Sequence, residues 1–297
     1  MTWFTIAIIA YFLNAIAVTI DKFLLSKKIS NPAVYAIFIS TLSLLSLVLM
    51  PFGFKLYSAS QILIALLAGL IFTFALFYMF KALSQNEASR ITPFMGGLQP
   101  IFVFILALFF LNENLGLQQI VAFVIIIIGT VAISWQGSSK TDKKTAYLFA
   151  AIATLLFAIS YTINKYSFIN QDFISGFIWT RVGAFIGALV LLASAKNRCD
   201  IMLELRKPKK QAGGLFLIGQ LAGALSFILI NYAIAISSSV ALVNALQGLQ
   251  YVFLLAIVFS LSSKFPRLLE EKFTTAIVIK KIIATLLIIV GLFILFV

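Results

Sequence analysis

The sequence predicts an all-α integral membrane protein with ten transmembrane helices, arranged as two inverted five-helix repeats. Of the 297 residues, 62% are hydrophobic and 10% are charged, with a mean hydropathy of +1.11. Soluble domains are instead about half apolar and about a quarter charged. The apolar residues form runs of about 20, which is enough to cross a hydrocarbon core about 30 Å thick. Several segments of the first half recur in the second half.

Each half of the chain contains five apolar runs that can form spanning helices. The runs are continuous, whereas the strands of a membrane β-barrel would alternate apolar and polar residues over about ten positions. The first run has no preceding basic residue and no small-x-small site leading into a soluble domain, so we expect a retained helix and not a cleaved signal. The runs begin near Trp3, Pro32, Gln61, Ile91, Leu117, Thr145, Phe173, Gly213, Ser239 and Val278.

The fifth and tenth predicted helices show the repeat most clearly. Leu117 to Val131 matches Ile279 to Phe293 at a constant offset of 162 positions, which places Gly129 opposite Gly291. The first and fourth helices of each half also match, at offsets of 143 and 151. These shorter matches are Thr19 to Lys22 with Thr162 to Lys165, and Gly97 to Gln99 with Gly248 to Gln250.

The odd number of helices in a repeat determines how the two copies are oriented. A five-helix repeat begins and ends on opposite faces of the membrane, so the second copy is inserted upside down. Inverted repeats are typical of transporters that bind substrate near the midplane and expose it alternately to the two faces. We expect residues 1–139 and 140–297 to be the two repeats. Because one chain holds both copies, we expect a functional monomer.

Basic residues are concentrated in the connections that follow odd-numbered helices. These connections hold 19 of the 22 Lys and Arg residues, and the positive-inside rule therefore places them in the cytoplasm and both termini outside. The basic stretch from Arg206 to Lys210 could bind nucleic acid. Attraction to anionic lipid headgroups explains it better, so we expect the bilayer and no nucleic acid as a partner.

The residue types that most catalytic and metal sites need are scarce. The chain has no His and a single cysteine, Cys199, so histidine-based catalysis and soft-ligand metal sites lose their usual residues. No metalloprotease, serine-hydrolase or P-loop motif is found. We therefore expect no enzyme activity, no metal and no cofactor.

Acidic residues are excluded from the centres of the predicted helices. None of the nine Asp and Glu residues falls in the middle third of a helix. Proton-coupled export of cations normally uses a buried titratable carboxylate. The pattern therefore favours a neutral, zwitterionic or anionic substrate.

Several motifs resemble the drug/metabolite transporter superfamily, specifically its ten-helix EamA-like family. They are Glu113-Asn114-Leu115 after helix four, Gln119 ten positions before Gly129, and Trp179-Thr180-Arg181 in helix seven. The resemblance implies a transporter in the cell membrane, usually an exporter, for amino acids and their derivatives, other small metabolites or drugs. It also implies cytoplasmic termini, which is opposite to the orientation from the charge count. Two alternatives stay open: a lipid-linked flippase or nucleotide-sugar carrier of the same architecture, and a non-transporting membrane scaffold.

Arg181 is the first candidate for substrate contact. It lies about eight residues into helix seven, where its guanidinium could bind a carboxylate or phosphate bidentately. The alternative is that it reaches the membrane surface or bonds carbonyl groups of a neighbouring helix. In the first repeat the corresponding position, at offset 141, holds Ser40.

The other candidates are amides and aromatic residues inside apolar helices. Each could contact substrate or instead bond across helices, and Trp179 could stack on a ligand or belong to an interfacial aromatic belt. Glu113 and Glu271 are expected to stabilise the N-termini of the helices that follow them. Lys22 and Lys165 are expected to end helices and anchor them at the membrane surface, with gating as the alternative. The candidates besides Arg181 are Gln99, Gln250, Asn14, Trp179, Tyr161, Asn231, Tyr232 and Gln247.

Overall fold

The computed structural model describes residues 2–24, 31–86, 88–134, 143–206, 214–262 and 275–296. Regular secondary structure in these ranges is entirely helical. A 3-10 helix, Ser43–Phe52, directly continues α2. The α-helices are α1 (Thr2–Leu24), α2 (Pro32–Leu42), α3 (Ala59–Leu83), α4 (Ala88–Phe110), α5 (Leu117–Ser134), α6 (Lys144–Asn170), α7 (Phe173–Leu192), α8 (Ala195–Arg206), α9 (Gly214–Ile236), α10 (Val240–Ala245), α11 (Gln247–Ser262) and α12 (Thr275–Phe296).

The helices begin close to where the sequence predicts. Every predicted start lies within three residues of an observed one. Local capping explains part of this agreement, because an N-cap oxygen satisfies backbone N–H groups that have no partner inside the helix. Asn31 accepts hydrogen bonds from the N–H groups of Ala33 and Val34 at the start of α2. Asp172 accepts one from Ser175 at the start of α7.

Five helical segments of the described residues are long and apolar enough to cross a membrane. Five more apolar helices are shorter, between 10 and 17 residues. The chain is therefore an all-α, multi-pass membrane protein, and the count of ten spanning helices stays a prediction. The longer segments are Thr2–Ile20, Pro32–Phe52, Ala59–Leu83, Lys144–Asn170 and Phe173–Leu192, and the shorter ones are Phe94–Phe110, Leu117–Ala132, Leu221–Ile236, Val240–Leu254 and Ile282–Ile294.

Three local features differ from the sequence-based expectation. The 3-10 helix that continues α2 ends at Gly53, whose φ of +124° is a conformation that favours glycine. The predicted ninth helix is divided by a single turn residue, Leu246, into α10 and α11. The connection after α7, which the sequence suggests is a basic loop, contains α8.

The chain forms two compact units, and each combines helices from both halves of the sequence. Unit one contains α1, α5 and α9 to α12. Unit two contains α2 with its 3-10 continuation, α3, α4 and α6 to α8. The boundary between residues 139 and 140 describes the sequence repeat and not these units, and it stays a prediction.

In unit one, α5 and α12 pack closely through glycines. A Cβ added at Gly129 would lie 2.7 Å from Cγ1 of Ile288, and one added at Gly291 would lie 2.6 Å from Cγ1 of Ile126. Ile126 and Ile288 are themselves 162 positions apart, as the two glycines are. The repeat-equivalent helices therefore make the same contact twice.

In unit two, α3 packs along both α6 and α7. Glycines bring α3 and α7 together, because a Cβ at Gly69 would overlap the carbonyl group of Thr180 and a Cβ at Gly183 would overlap that of Leu66. Small residues permit this close backbone approach in membrane helix pairs. The contact fixes the part of α7 in which Arg181 lies.

Candidate functional site

Arg181 lies deep in α7 and is buried in unit two. It follows the first residue of the helix, Phe173, by eight positions, which is about 12 Å at about 1.5 Å per residue. Its side chain is 4% exposed. The Ser43 hydroxyl donates a hydrogen bond of 3.1 Å to the Arg181 carbonyl oxygen. This burial favours an internal role for the guanidinium over a position at the membrane surface.

Aromatic rings surround the Arg181 guanidinium. Its Cζ lies 4.7 Å from the ring centroid of Phe72 and 5.4 Å from that of Phe177. Phe72 packs edge to face on Phe157, which stacks on Tyr161. Ring faces attract a cation more strongly when it is removed from water. We call Arg181 and these four rings the arginine cluster.

Lys165 is a second buried cation of unit two, and it differs from the sequence-based expectation. Because α6 continues to Asn170, Lys165 does not end the helix. Its side chain is 5% exposed, so it is not an anchor at the membrane surface. The mainly apolar residues 166–169 could have indicated that the helix continues. An ionisable residue within a spanning helix is a candidate functional residue.

The connected helices α6 and α7 are held in register near their junction. The Thr180 hydroxyl donates a hydrogen bond of 3.1 Å to Oδ1 of Asn164. One turn nearer the junction, a Cβ added at Gly176 would lie 3.0 Å from the Phe168 ring. The second contact lies four residues later on α6 and four residues earlier on α7. The two helices are therefore antiparallel in this region.

Buried hydroxyl groups join α2, α3 and α7. Ser40 Oγ lies 2.8 Å from Thr73 Oγ1, and the Thr73 hydroxyl donates a hydrogen bond of 2.8 Å to the carbonyl of Ala184. Ser40 is fully buried. It occupies the first-repeat position that corresponds to Arg181, so the two repeats differ there: one places a small hydroxyl and the other a cation.

Asp172 organises the connection between α6 and α7. Its carboxylate accepts hydrogen bonds from the Ser175 backbone N–H and hydroxyl, both at 2.9 Å, and from the Tyr57 phenol at 3.0 Å. Burial acts to raise the pKa of this carboxyl. The hydrogen bonds from Ser175 and Tyr57 and the positive charge of Lys55 outweigh burial, so the pKa lies below its ordinary value. Asp172 is therefore expected to be ionised at neutral pH.

Trp179 and Gln99 are the remaining predicted site residues of unit two. The Trp179 ring packs against Phe54 with the centroids 5.9 Å apart. Its indole N–H is buried and has no hydrogen-bond partner among the described residues. Gln99 is 8% exposed in α4. Of the four predicted residues in unit two, the contacts above bring Tyr161 and Arg181 together.

The other five predicted site residues lie in unit one, where two of them bond to each other. Asn14 Nδ2 donates a hydrogen bond of 3.0 Å to Oε1 of Gln250, joining α1 to α11. The Tyr11 phenol donates one of 2.9 Å to the carbonyl of Val243 in α10. Polar groups of α1 thus hold both segments that meet at Leu246. Bonding across helices is the role that the structure shows for Asn14 and Gln250.

Gln247, Asn231 and Tyr232 have three different environments in unit one. The Gln247 Oε1 atom is buried and has no hydrogen-bond partner among the described residues. Asn231 is fully buried, and its amide donates a hydrogen bond of 2.9 Å to the carbonyl of Phe227 in the same helix. Tyr232 is 38% exposed. Adjacent helical residues point about 100° apart, so Asn231 and Tyr232 do not form one polar face.

Acidic residues have structural roles where the structure describes them. Glu113 Oε1 accepts a hydrogen bond of 3.0 Å from the Val240 N–H at the start of α10, whereas the sequence predicts that it supports α5. Glu271, the second expected cap, lies outside the described residues. Within the described ranges, no group of three or more His, Cys, Asp or Glu residues could hold a metal ion.

Comparison with known protein families supports the resemblance seen in the motifs. Residues 1–135 match the EamA-like transporter family. This match covers 135 of the 297 residues, which is less than half of the chain. The chain is also 27% identical, over 192 residues, to an S-adenosylmethionine uptake transporter from Rickettsia bellii (strain RML369-C). This match covers 63% of the chain and 62% of that relative, which is less than two thirds of the relative's length.

A solved structure shows the same fold. A crystal structure of another protein superposes on this chain with a TM-score of 0.70 at 15% identity. The superposition covers 99% of this chain and 96% of the other. The family matched by residues 1–135 and the Rickettsia bellii relative are both named as transporters.

Proposed function

We propose that this protein is an EamA-like transporter and moves a small metabolite with an anionic group, such as an amino acid or a related compound, across the cell membrane. In this proposal Arg181 binds the anionic group. The supporting observation is the burial of its guanidinium, 4% exposed, inside the arginine cluster. A buried charge in a spanning helix is costly. Guanidinium binds carboxylate or phosphate through two parallel hydrogen bonds, which offsets that cost.

The surroundings of Arg181 favour an amino-acid-like compound. Phe72 and Phe177 present apolar ring faces beside the guanidinium, so a ligand carboxylate and an adjoining apolar group could both be accommodated. The relative from Rickettsia bellii is named for the uptake of S-adenosylmethionine, which is an amino-acid derivative. Its name indicates uptake, whereas the family resemblance implies export. Flux measurements in both directions decide between them.

The internal repeat favours alternating access as the mechanism. In that mechanism a substrate site opens in turn to each face of the membrane, and inverted repeats supply two related conformations of one fold. The doubled contact between α5 and α12 supports this proposal, because equivalent residues of the repeat pack against each other in the same way. We propose that a single chain is the functional unit.

Ligand-induced thermal stabilisation of the purified protein tests the proposal. A compound stabilises the protein when it binds the folded state. The panel contains amino acids, nucleotides, sugars, phosphates and lipophilic cations, tested on wild type, Arg181→Ala and Arg181→Lys. Arg198→Ala is the matched control, because Arg198 is exposed on α8. We expect stabilisation by an anionic or zwitterionic compound that Arg181→Ala abolishes and Arg198→Ala retains.

Three results would contradict this function. Stabilisation by cations alone, unchanged in Arg181→Ala, would contradict an anion-binding site at Arg181. Stimulation of cation efflux from liposomes by an imposed proton gradient would contradict the proposed substrate class. Stabilisation by a polyprenyl phosphate or a nucleotide sugar, with no response to amino acids, would identify a flippase or a nucleotide-sugar carrier of the same fold.

A further inference from the structure

Lys165 lies on the same side of the α6–α7 pair as Arg181. Asn164 and Thr180 face each other across the pair, and Lys165 and Arg181 each follow one of them. The next residue in an α-helix is turned by about 100°. Because the helices are antiparallel here, the two turns lead to the same side of the pair. The side chains of Lys165 and Arg181 therefore point to a common region within unit two.

Tyr161 supports this placement independently. It lies four residues before Lys165 on α6, and residues at that spacing are neighbours on one helix face, with their Cβ atoms about 6 Å apart. The same Tyr161 stacks on Phe157, which packs on Phe72 beside the Arg181 guanidinium. Tyr161 therefore connects the helix face of Lys165 to the arginine cluster. Both cations are buried, with exposures of 5% for Lys165 and 4% for Arg181.

Two positive charges in one buried region repel each other more strongly than they would in water, because the surroundings are less polarisable. A ligand with two negative charges would offset both cations at once.

We propose that Lys165 is a second substrate-binding residue and that the site takes a metabolite with two acidic charges, either a dicarboxylate or a phosphate monoester. Arg181 binds one charge in a planar, two-bond geometry, and the Lys165 ammonium acts as a point charge on the second. This inference rests on the proposed function of Arg181. It deepens that function, because it names the charge that the substrate carries.

Matched ligands that differ by one acidic group provide the test. Glutamate is compared with glutamine, aspartate with asparagine, and glycerol 3-phosphate with its methyl diester, by equilibrium binding to the full chain in detergent. In each pair the first compound carries one more negative charge than the second and is called the acidic member. Wild type is expected to bind the acidic member of at least one pair about ten- to a hundredfold more tightly, as expected for hydrogen bonds to charged groups. The carboxylate and phosphate pairs distinguish the two sources of the second charge.

Variants of Lys165 then test whether this residue causes the preference for the acidic member of each pair. Lys165→Gln is expected to bind both members of the pair nearly equally, whereas Lys165→Arg keeps the preference for the acidic member. Lys196→Gln, an exposed lysine on α8, is the control that should change nothing. Arg181→Ala should weaken binding of both members.

Two outcomes separate this inference from the proposed function. Equal binding of both members by wild type, with binding still lost in Arg181→Ala, overturns the role of Lys165 and leaves the Arg181 site intact. If Lys165→Gln still prefers the acidic member of the pair, the role of Lys165 is likewise overturned and the Arg181 site stays intact. If no ligand is found whose binding depends on Arg181, both proposals are wrong. If Lys165→Gln fails to fold, the comparison in wild type and in Lys165→Arg still decides the question.

Discussion

Gly129 and Gly291 occupy equivalent positions in one helix contact, each facing an isoleucine that the repeat relates to the other. Gly129 lies against Ile288, and Gly291 lies against Ile126. The two glycines are 162 positions apart, and so are the two isoleucines. Each glycine–isoleucine contact is therefore the repeat-related copy of the other. A local two-fold relation is therefore present in the packing of unit one. Glycine is needed on both helices, because any Cβ would collide with the facing side chain.

Gly129→Ala is expected to lower the stability of the protein by about 1–3 kcal/mol, the usual cost of overfilling a packed contact. The added methyl would lie 2.9 Å from the Ala284 carbonyl oxygen as well as 2.7 Å from Ile288. The measurement is the midpoint of thermal unfolding in detergent. Gly116→Ala is the control, because its nearest neighbouring atom would be 4.0 Å away. Equal effects of the two substitutions would show that the α5–α12 contact is looser than described.

The sequence predicts the helices well because their starts and apolar lengths depend on nearby residues. Asn31 and Asp172 mark the beginnings of α2 and α7 through hydrogen bonds within three positions. The role of Glu113 could not be predicted in this way. Its partner, Val240, is 127 positions away, and contacts over such distances depend on the packing of the whole unit.

Part of the candidate site was similarly predictable. The depth of Arg181 follows from its position in an apolar run, and its burial agrees. The burial of Lys165 depends on where α6 ends and on the contacts of α7, so composition alone suggested a surface anchor. The bond between Asn14 and Gln250 joins residues 236 positions apart. Each residue could be recognised as polar inside a helix, but not as the partner of the other.

Asn14 and Gln250 are expected to be energetically coupled. In a double-mutant cycle of Asn14→Ala and Gln250→Ala, the coupling should be about 0.5–1.5 kcal/mol, as found for hydrogen bonds between membrane helices. Thermal unfolding of the four proteins measures it. The control cycle pairs Asn14→Ala with Ser260→Ala, since the Ser260 hydroxyl bonds the Ala256 carbonyl of its own helix. Additive effects in the first cycle would mean that the bond contributes nothing to stability.

Asp172 should make stability depend on pH under acidic conditions. Its folded-state pKa lies below the ordinary value, so its contribution is fully present above the unfolded-state pKa, which is about 4. That contribution is lost as pH falls through the lower folded-state pKa. The unfolding midpoint of wild type should therefore exceed that of Asp172→Asn at pH 7, and the difference should shrink below about pH 4. A difference that stays constant down to pH 3 would contradict this role.

Cys199 can decide the orientation of the protein in the membrane. It is the only cysteine of the chain and is exposed on α8, in a connection that the charge distribution places in the cytoplasm. A membrane-impermeant maleimide should therefore label Cys199 in inside-out vesicles and not in intact cells. Cys199→Ser should abolish all labelling.

A second position gives the opposite expectation and completes the test. Ser60 is exposed at the start of α3, after the second predicted helix and therefore on the other face of the membrane. In the Cys199→Ser background, Ser60→Cys should be labelled in intact cells. Reversal of both results would place the termini in the cytoplasm, as the family resemblance implies. The basic connections would then lie outside, and the positive-inside rule would not describe this chain.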